Sequence, residues 1–305
     1  MATLRETKER IASVRNTLKI TSAMKLVASA KLRKAQRSIE SLRPYQHALG
    51  EILSELCSPA AGAATPVEDG ISAPVPEPAG TATALRPEAE AKPRGRVALV
   101  CISSNTSLCG AFNANVIRKT MAILNRLDTK PDIYAFGRKV GDALRRAGYP
   151  IERDCSAMVQ NCSYDRVEEF ALHLLDLHRS GVLDRVYLIY TGFVSTSRQE
   201  IRVEQFLPYG KEQVVASEGE ADEFIVEPSA AELVSQLRPQ VLALHLYAAL
   251  LDSAAAEQAA RTMAMQTASD NAENLLSELS LEYNKCRQQR ITDEILDLAG
   301  GAAGE

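Results

Sequence analysis

The residues best suited to covalent chemistry sit in one loop. Ser103, Ser104, Asn105, Thr106, Ser107, Leu108, Cys109, Gly110, Ala111, Phe112 and Asn113 follow a short apolar run, Val97 to Ile102, that reads as a buried strand. Sheets of alternating strands and helices bind ligands at the carboxyl ends of their strands, so a thiol beside glycine at this turn has the position of an activated nucleophile. No histidine lies near Cys109 in sequence to serve as its base. The competing expectation is a tight turn filled by Cys109 as a small buried apolar residue. Phosphate chemistry has no support, because neither G-x-x-x-x-G-K-[ST] nor G-x-G-x-x-G occurs. Six cysteines (Cys57, Cys101, Cys109, Cys155, Cys162, Cys286) are scattered without C-x-x-C spacing, and the four histidines form no H-E-x-x-H. No structural zinc, disulfide framework or cofactor is expected, and Ser195, Thr196 and Ser197 read as a turn before a strand. The chain offers no catalytic constellation of its own.

The elements around this loop alternate. After Val97 to Ile102 come a helical pattern from Ala114 to Leu127, a strand from Asp132 to Phe136, and a helix from Val140 to Ala147. A longer helix from Arg166 to Arg179 and a strand from Arg185 to Tyr190 follow, and Ile201 to Phe206 pairs with that strand as a hairpin. Strands interleaved with helices predict a small, mostly parallel, Rossmann-like α/β domain over 96–228. Residues 58–95 carry seven of the chain's thirteen prolines among Ala, Gly, Thr and Glu, the composition of a flexible linker or insertion.

The two ends are unlike the middle. Residues 1–43 and 240–299 contain neither glycine nor proline, and both read as long helices. Alternating steps of three and four from Leu4 reach Leu4, Thr7, Ile11, Val14, Leu18, Thr21, Lys25, Ala28, Leu32, Ala35, Ile39, Leu42, Gln46, Leu49, Leu53 and Leu56, a coiled-coil seam. Pro44 predicts a kink or break near Arg43. The C-terminal seam runs through Leu237, Val241, Leu244, Ala248, Leu251 and Ala255, then resumes at Met265, Ala272, Leu276, Leu279, Tyr283 and Cys286. Its weaker middle, Gln258 to Gln266, is expected to face something other than the partner helix. The fold class is therefore α/β with a long antiparallel coiled coil: an N-terminal helix over 1–57, the 58–95 insertion, the domain at 96–228 and a C-terminal helix over 229–305.

Charge favours pairing of the ends. Residues 1–37 carry a balance of +8 and residues 240–305 one of −6, although exposed ion pairs contribute only about 0.3–0.5 kcal/mol each. The basic stretch has no interleaved aromatics and the whole chain is at −4, so nucleic acid is not an expected partner. No segment is long and apolar enough to span a membrane, and the N-terminus has no apolar signal core, which predicts a cytoplasmic chain. Three classes follow from the residues: a rod that transmits motion, a stand-alone α/β enzyme with coiled-coil arms, and a scaffold that dimerises through those arms.

Three stretches carry a resemblance. The opening Ala2 to Gln36, centred on Ile20-Thr21-Ser22-Ala23-Met24-Lys25-Leu26-Val27-Ala28, resembles the N-terminal helix of the gamma subunit of rotary ATP synthase. Ser104 to Asn113 is similar to that family's central signature, with Asn105 where the family usually has an acidic residue and Ser107 where it has Gly. Tyr283-Asn284-Lys285-Cys286-Arg287-Gln288, followed by Ile291-Thr292-Asp293-Glu294-Ile295-Leu296-Asp297-Leu298-Ala299-Gly300-Gly301-Ala302, resembles its C-terminal one.

The resemblance implies a non-catalytic rotor: terminal helices turning inside a ring of alpha and beta subunits, and an α/β domain on the epsilon subunit and the ring of c subunits. It implies peripheral attachment, through the complex, to the cytoplasmic face of the cell inner membrane. It places Met24, Arg261, Arg287, Gln288, Thr292 and Glu294 where the shaft touches beta subunits or holds its own register. A lysine at Met24 would find an acidic partner on beta or at Glu294.

Overall fold

The computed structural model describes residues 4–56, 96–127, 129–160, 162–209, 227 and 229–302; the 58–95 segment lies outside them. Two long helices dominate. α1 spans Leu4–Leu56 and α6 spans Ala230–Ala302, lengths of about 80 and 110 Å at the α-helical rise. Between them lie β1 (Arg96–Ile102), α2 (Phe112–Leu124), β2 (Asp132–Phe136), α3 (Arg138–Arg146), β3 (Arg153–Asp154), α4 (Ser156–Gln160), α5 (Tyr164–Arg179), β4 (Leu183–Phe193) and β5 (Gln199–Leu207).

The sheet order is β3-β2-β1-β4-β5. β1 to β4 run parallel, and β5 closes one edge antiparallel to β4, as the hairpin reading predicts. The central strands are buried on both faces, which is why β1 reads as an unbroken apolar run. One face packs Leu99, Cys101 and Ile133 under Val116 of α2 and Leu144 of α3. The other packs Val100, Tyr134, Phe136 and Leu188 under Phe170 and Leu174 of α5 and under Leu242, Leu246 and Leu250 of α6. The shaft helix is thus also one of the helices covering the sheet, so rod and domain share a single core.

The α1 seam is confirmed residue by residue. Every predicted position from Leu4 to Leu53 is buried or half-buried. Leu49 and Leu53 meet Val241 and Leu244, while Leu32 meets Ala255 and Ala259, an antiparallel order in which small residues bring the helices close. The pairing is within one chain, unlike the intermolecular coil that a dimerising scaffold needs.

The break expected at Pro44 does not occur. α1 continues through it, and α6 starts before residue 240 and continues through Pro239. A proline removes one helical hydrogen bond. Leu42, Leu49 and Leu53, packed in one cluster with Leu237, Val241 and Leu244, hold both helices across their prolines.

Candidate functional site

The loop after β1 is held from all sides. Ser103 N donates to the Phe136 carbonyl at 2.6 Å, and Val140 N donates to Ser103 Oγ at 3.1 Å. Gly137, at φ 111°, makes this approach possible, since a Cβ there would lie 2.2 Å from Ser103 O. Asn105 Nδ2 donates to the Ser156 carbonyl and its Oδ1 accepts from Arg138 N, both at 2.9 Å. A carboxylate could accept the second bond but not donate the first, so asparagine suits this chain's position. Ser104 N donates to Asn113 Oδ1 at 3.1 Å, closing the loop on the first turn of α2.

Cys109 is 1% exposed, packed with Phe112, Ala256 and Ala260. Asn113 Nδ2 reaches its sulfur at 3.1 Å, and Ser104 Oγ lies 3.7 Å away. These neighbours supply no base and no route for a substrate, so the turn-filling reading of Cys109 is the one its surroundings support. Leu108 stands beside it at φ 67° with its side chain outward, 58% exposed.

What occupies the mouth of the sheet is the shaft itself. Arg261 is buried and donates to the Ser107 carbonyl at 2.7 Å and to Thr106 Oγ1 at 2.9 Å, while its guanidinium also meets the Glu257 carboxylate one turn earlier. Gly110, at φ 58°, lets the loop lie against Ala260 and Ala264. The middle of the C-terminal seam therefore does face something other than α1, and that something is the central loop.

The sequence-predicted contact residues divide into two groups. Met24 is half-buried on α1, and Arg261 is directed into its own chain's loop. Arg287, Gln288, Thr292 and Glu294 are exposed near the end of α6, where Thr292 Oγ1 donates to the Gln288 carbonyl at 2.9 Å and Glu294 pairs with Arg290 at 3.0 Å. The register explains their exposure. Thr21 Oγ1 and Ser269 Oγ lie 2.8 Å apart across the seam, and carrying that antiparallel register onward sets Leu4 opposite Cys286. Beyond Cys286 no described residue of α1 lies opposite, and residues 287–296 are all exposed, including Ile291, Ile295 and Leu296. Met24 and Glu294 are not brought together: about 38 Å of helix separates Ser269 from Glu294, so the Glu294 arm of the lysine expectation is withdrawn.

Comparison with known proteins decides the family. The family described as ATP synthase matches residues 3–304. An ATP synthase gamma chain of Bacteroides thetaiotaomicron is 43% identical over 317 residues, covering 99% of both chains, and one of Flavobacterium johnsoniae is 40% identical over 308 residues, covering 99% of this chain and 98% of the other. The chain belongs to the ATP synthase gamma family. Solved structures agree on the fold: a Euglena gracilis mitochondrial ATP synthase rotor chain (TM-score 0.59, 19% identity, covering 94% of this chain and 98% of that one) and a Tetrahymena thermophila mitochondrial ATP synthase central stalk/c-ring chain (TM-score 0.54, 22% identity, covering 82% and 99%).

Sequence reading missed the partners that the site residues use. Thr106 and Glu257 hold Arg261, and Ser269 holds Thr21. Glu257 and Arg261 were legible as a helical i, i+4 pair. Thr21 and Ser269 were not, because nothing in a sequence aligns two segments nearly 250 residues apart.

Proposed function

We propose that this chain is the central rotor shaft of a proton-translocating ATP synthase, coupling rotation of a c-subunit ring to conformational change at catalytic sites on beta subunits. It binds no nucleotide or cofactor itself; alpha and beta subunits surround the shaft, and epsilon and the c ring hold the α/β domain. It sits at the cytoplasmic face of the cell inner membrane and meets the membrane only through the complex, in keeping with the fact that no described helix is long and apolar enough to cross one.

The bare end of α6 is the observation that carries this reading. A helix end lying past the described part of its partner, with Ile291, Ile295 and Leu296 in the open, needs a sleeve of other protein around it. Arg287, Gln288, Thr292 and Glu294 lie on the same stretch, where they meet beta subunits, and half-buried Met24 does so further down the shaft. Arg261 acts there indirectly, by fixing the loop to the shaft. The enzyme alternative is disfavoured because Arg261 and Cys109 fill the mouth of the sheet.

Purification of the tagged chain from its native cells tests the proposal. It should bring down alpha, beta, epsilon and c chains with ATP hydrolysis, and recovery of the chain free of them would refute it.

A further inference from the structure

The joint between the α/β domain and the shaft contains a cluster of charged and polar groups that the rotor reading leaves unused. Glu204 on edge strand β5 extends toward α6, where its Oε2 lies 3.0 Å from His245 Nε2. Its other oxygen accepts from buried Tyr190 OH, on β4, at 2.9 Å. Two residues back on β5, Arg202 lies over Gly192, where an added Cβ would meet its Nε at 2.6 Å, and it reaches Asp252 of α6 at 4.0 Å. Arg43 of α1 acts on Asp252 from the other shaft helix. The Phe206 ring stands 6.1 Å from the His245 ring. One cluster thereby ties β4, β5 and α6 at the place where sheet and rod meet.

We propose that Glu204 and His245 form a protonation-dependent clasp fastening the edge strand to α6, so that the joint between domain and shaft is stiffer when His245 carries its proton. The consequence for torque rests on the rotor reading; the clasp itself does not.

The surroundings keep Glu204 ionised. Burial pushes its carboxyl up, but the His245 hydrogen bond and charge, the Tyr190 hydroxyl and Arg202 outweigh that, and it lies below the usual range for a glutamate. Tyr190 is pushed the other way, by burial and by the Glu204 charge, and stays a neutral donor. With Glu204 an anion, the strength of the clasp depends on whether the imidazole 3.0 Å from it is charged or neutral. Protonated, it adds a full positive charge to the bond it donates to the carboxylate; neutral, it keeps at most the hydrogen bond and loses the ion pair. Asp252 is pushed up mainly by burial, against Arg202 and Arg43, with Glu204 adding to the rise, and Arg202 is directed to Asp252 and Tyr190. An edge strand is a sensitive reporter, since only one side of it is held by the sheet.

Hydrogen–deuterium exchange on the full chain, corrected for the intrinsic pH dependence of exchange, reads the clasp without needing ATP turnover. Its result therefore stands apart from the co-purification test of the rotor. Protection of 199–207 should fall about two- to fivefold between pH 6 and pH 8.5, the span expected for a half-exposed ion pair, while 97–102 and 132–136 stay level. His245→Gln and Glu204→Gln should each abolish that fall. A wild-type fall no larger than that of 97–102, or a fall retained in either variant, would overturn the clasp.

Discussion

Thr21 and Ser269 share a buried hydrogen bond of 2.8 Å across the antiparallel seam, between helices that otherwise meet there through aliphatic and small side chains. A polar pair in such a seam favours one register, since sliding either helix by a turn takes the Ser269 hydroxyl from its partner, while Thr21 keeps its bond to the Leu18 carbonyl. Thr21→Val alone should destabilise the chain by about 1–3 kcal/mol by leaving Ser269 unpaired. Thr21→Val with Ser269→Ala should recover much of that loss. Thermal unfolding of the four proteins of this cycle measures it, and additive losses would show that the hydroxyls are not coupled.

Arg261 binds the central loop through the Ser107 carbonyl and the Thr106 hydroxyl while also meeting the Glu257 carboxylate of its own helix. Lysine cannot span all three, because its three donors converge on one point. Both Arg261→Lys and Arg261→Ala should loosen residues 104–110, with alanine costing about 2–3 kcal/mol of stability. Faster amide exchange in 104–110 together with retained assembly is the expected result. Unchanged exchange with lost assembly would instead put Arg261 in direct contact with a partner.

Cys109 has polar neighbours on one side, Asn113 Nδ2 and Ser104 Oγ, which a sequence reading of the turn as apolar does not foresee. A serine there finds partners for its hydroxyl, so Cys109→Ser should cost less than about 1 kcal/mol and no more than Cys109→Ala, which opens a small cavity. Thiol reagents should label Cys109 slowly in the native protein, and hydrolysis by complexes carrying either variant should persist. Fast labelling with loss of turnover in an assembled complex would restore the nucleophile.

Much of this architecture was legible because it depends on local pattern. The α1 seam from Leu4 to Leu53, the run Val97–Ile102 and the hairpin strand Ile201–Phe206 each announce their burial by spacing. The two-residue strand Arg153–Asp154 and the short helix Ser156–Gln160 were missed, since five or fewer residues establish no period. The prolines misled for a related reason: the cost of Pro44 is local and visible, whereas the packing of Leu42 and Leu49 that offsets it comes from residues near 237–244. Charge was the poorest guide to pairing. The Arg5–Glu9 ion pair and the His47–Glu51 contact run along α1 itself rather than across the seam. At the site, exposure of Arg287 and Gln288 followed from the seam ending at Cys286, but the inward turn of Arg261 depended on a loop more than 150 residues away.

At the joint between domain and shaft, acid should act through two carboxyls with opposite signs. Glu204 lies below its ordinary value, so its contribution is present above about pH 4.3 and is lost as pH falls through its folded value. Asp252 lies above its ordinary value, mainly through burial, so ionising it opposes folding and the penalty sets in as pH rises past about 3.9. Compared with wild type, Asp252→Asn should therefore gain relative stability between pH 4 and 7, and Glu204→Gln should lose it. Denaturant midpoints at pH 3.5, 5 and 7 measure both, and parallel curves for all three proteins would mean that neither carboxyl is linked to folding.

Met24 is half-buried on α1, next to half-buried Lys25, and far along the shaft from Glu294. A lysine placed there that binds a partner's carboxylate would hold the shaft in one rotary state by about 1–3 kcal/mol. Met24→Lys should leave assembly intact and let ATP hydrolysis outrun proton pumping. Equal loss of both activities would point to a folding defect instead.

The most direct test of the rotor reading is to watch the chain turn. With the membrane part removed, the alpha–beta ring fixed to a surface and a bead attached at Ser180→Cys, an exposed position following α5 and far in sequence from both shaft helices, ATP should drive sustained rotation of the bead in one direction. ATP hydrolysis by the same immobilised complexes with a stationary or randomly fluctuating bead would contradict the account.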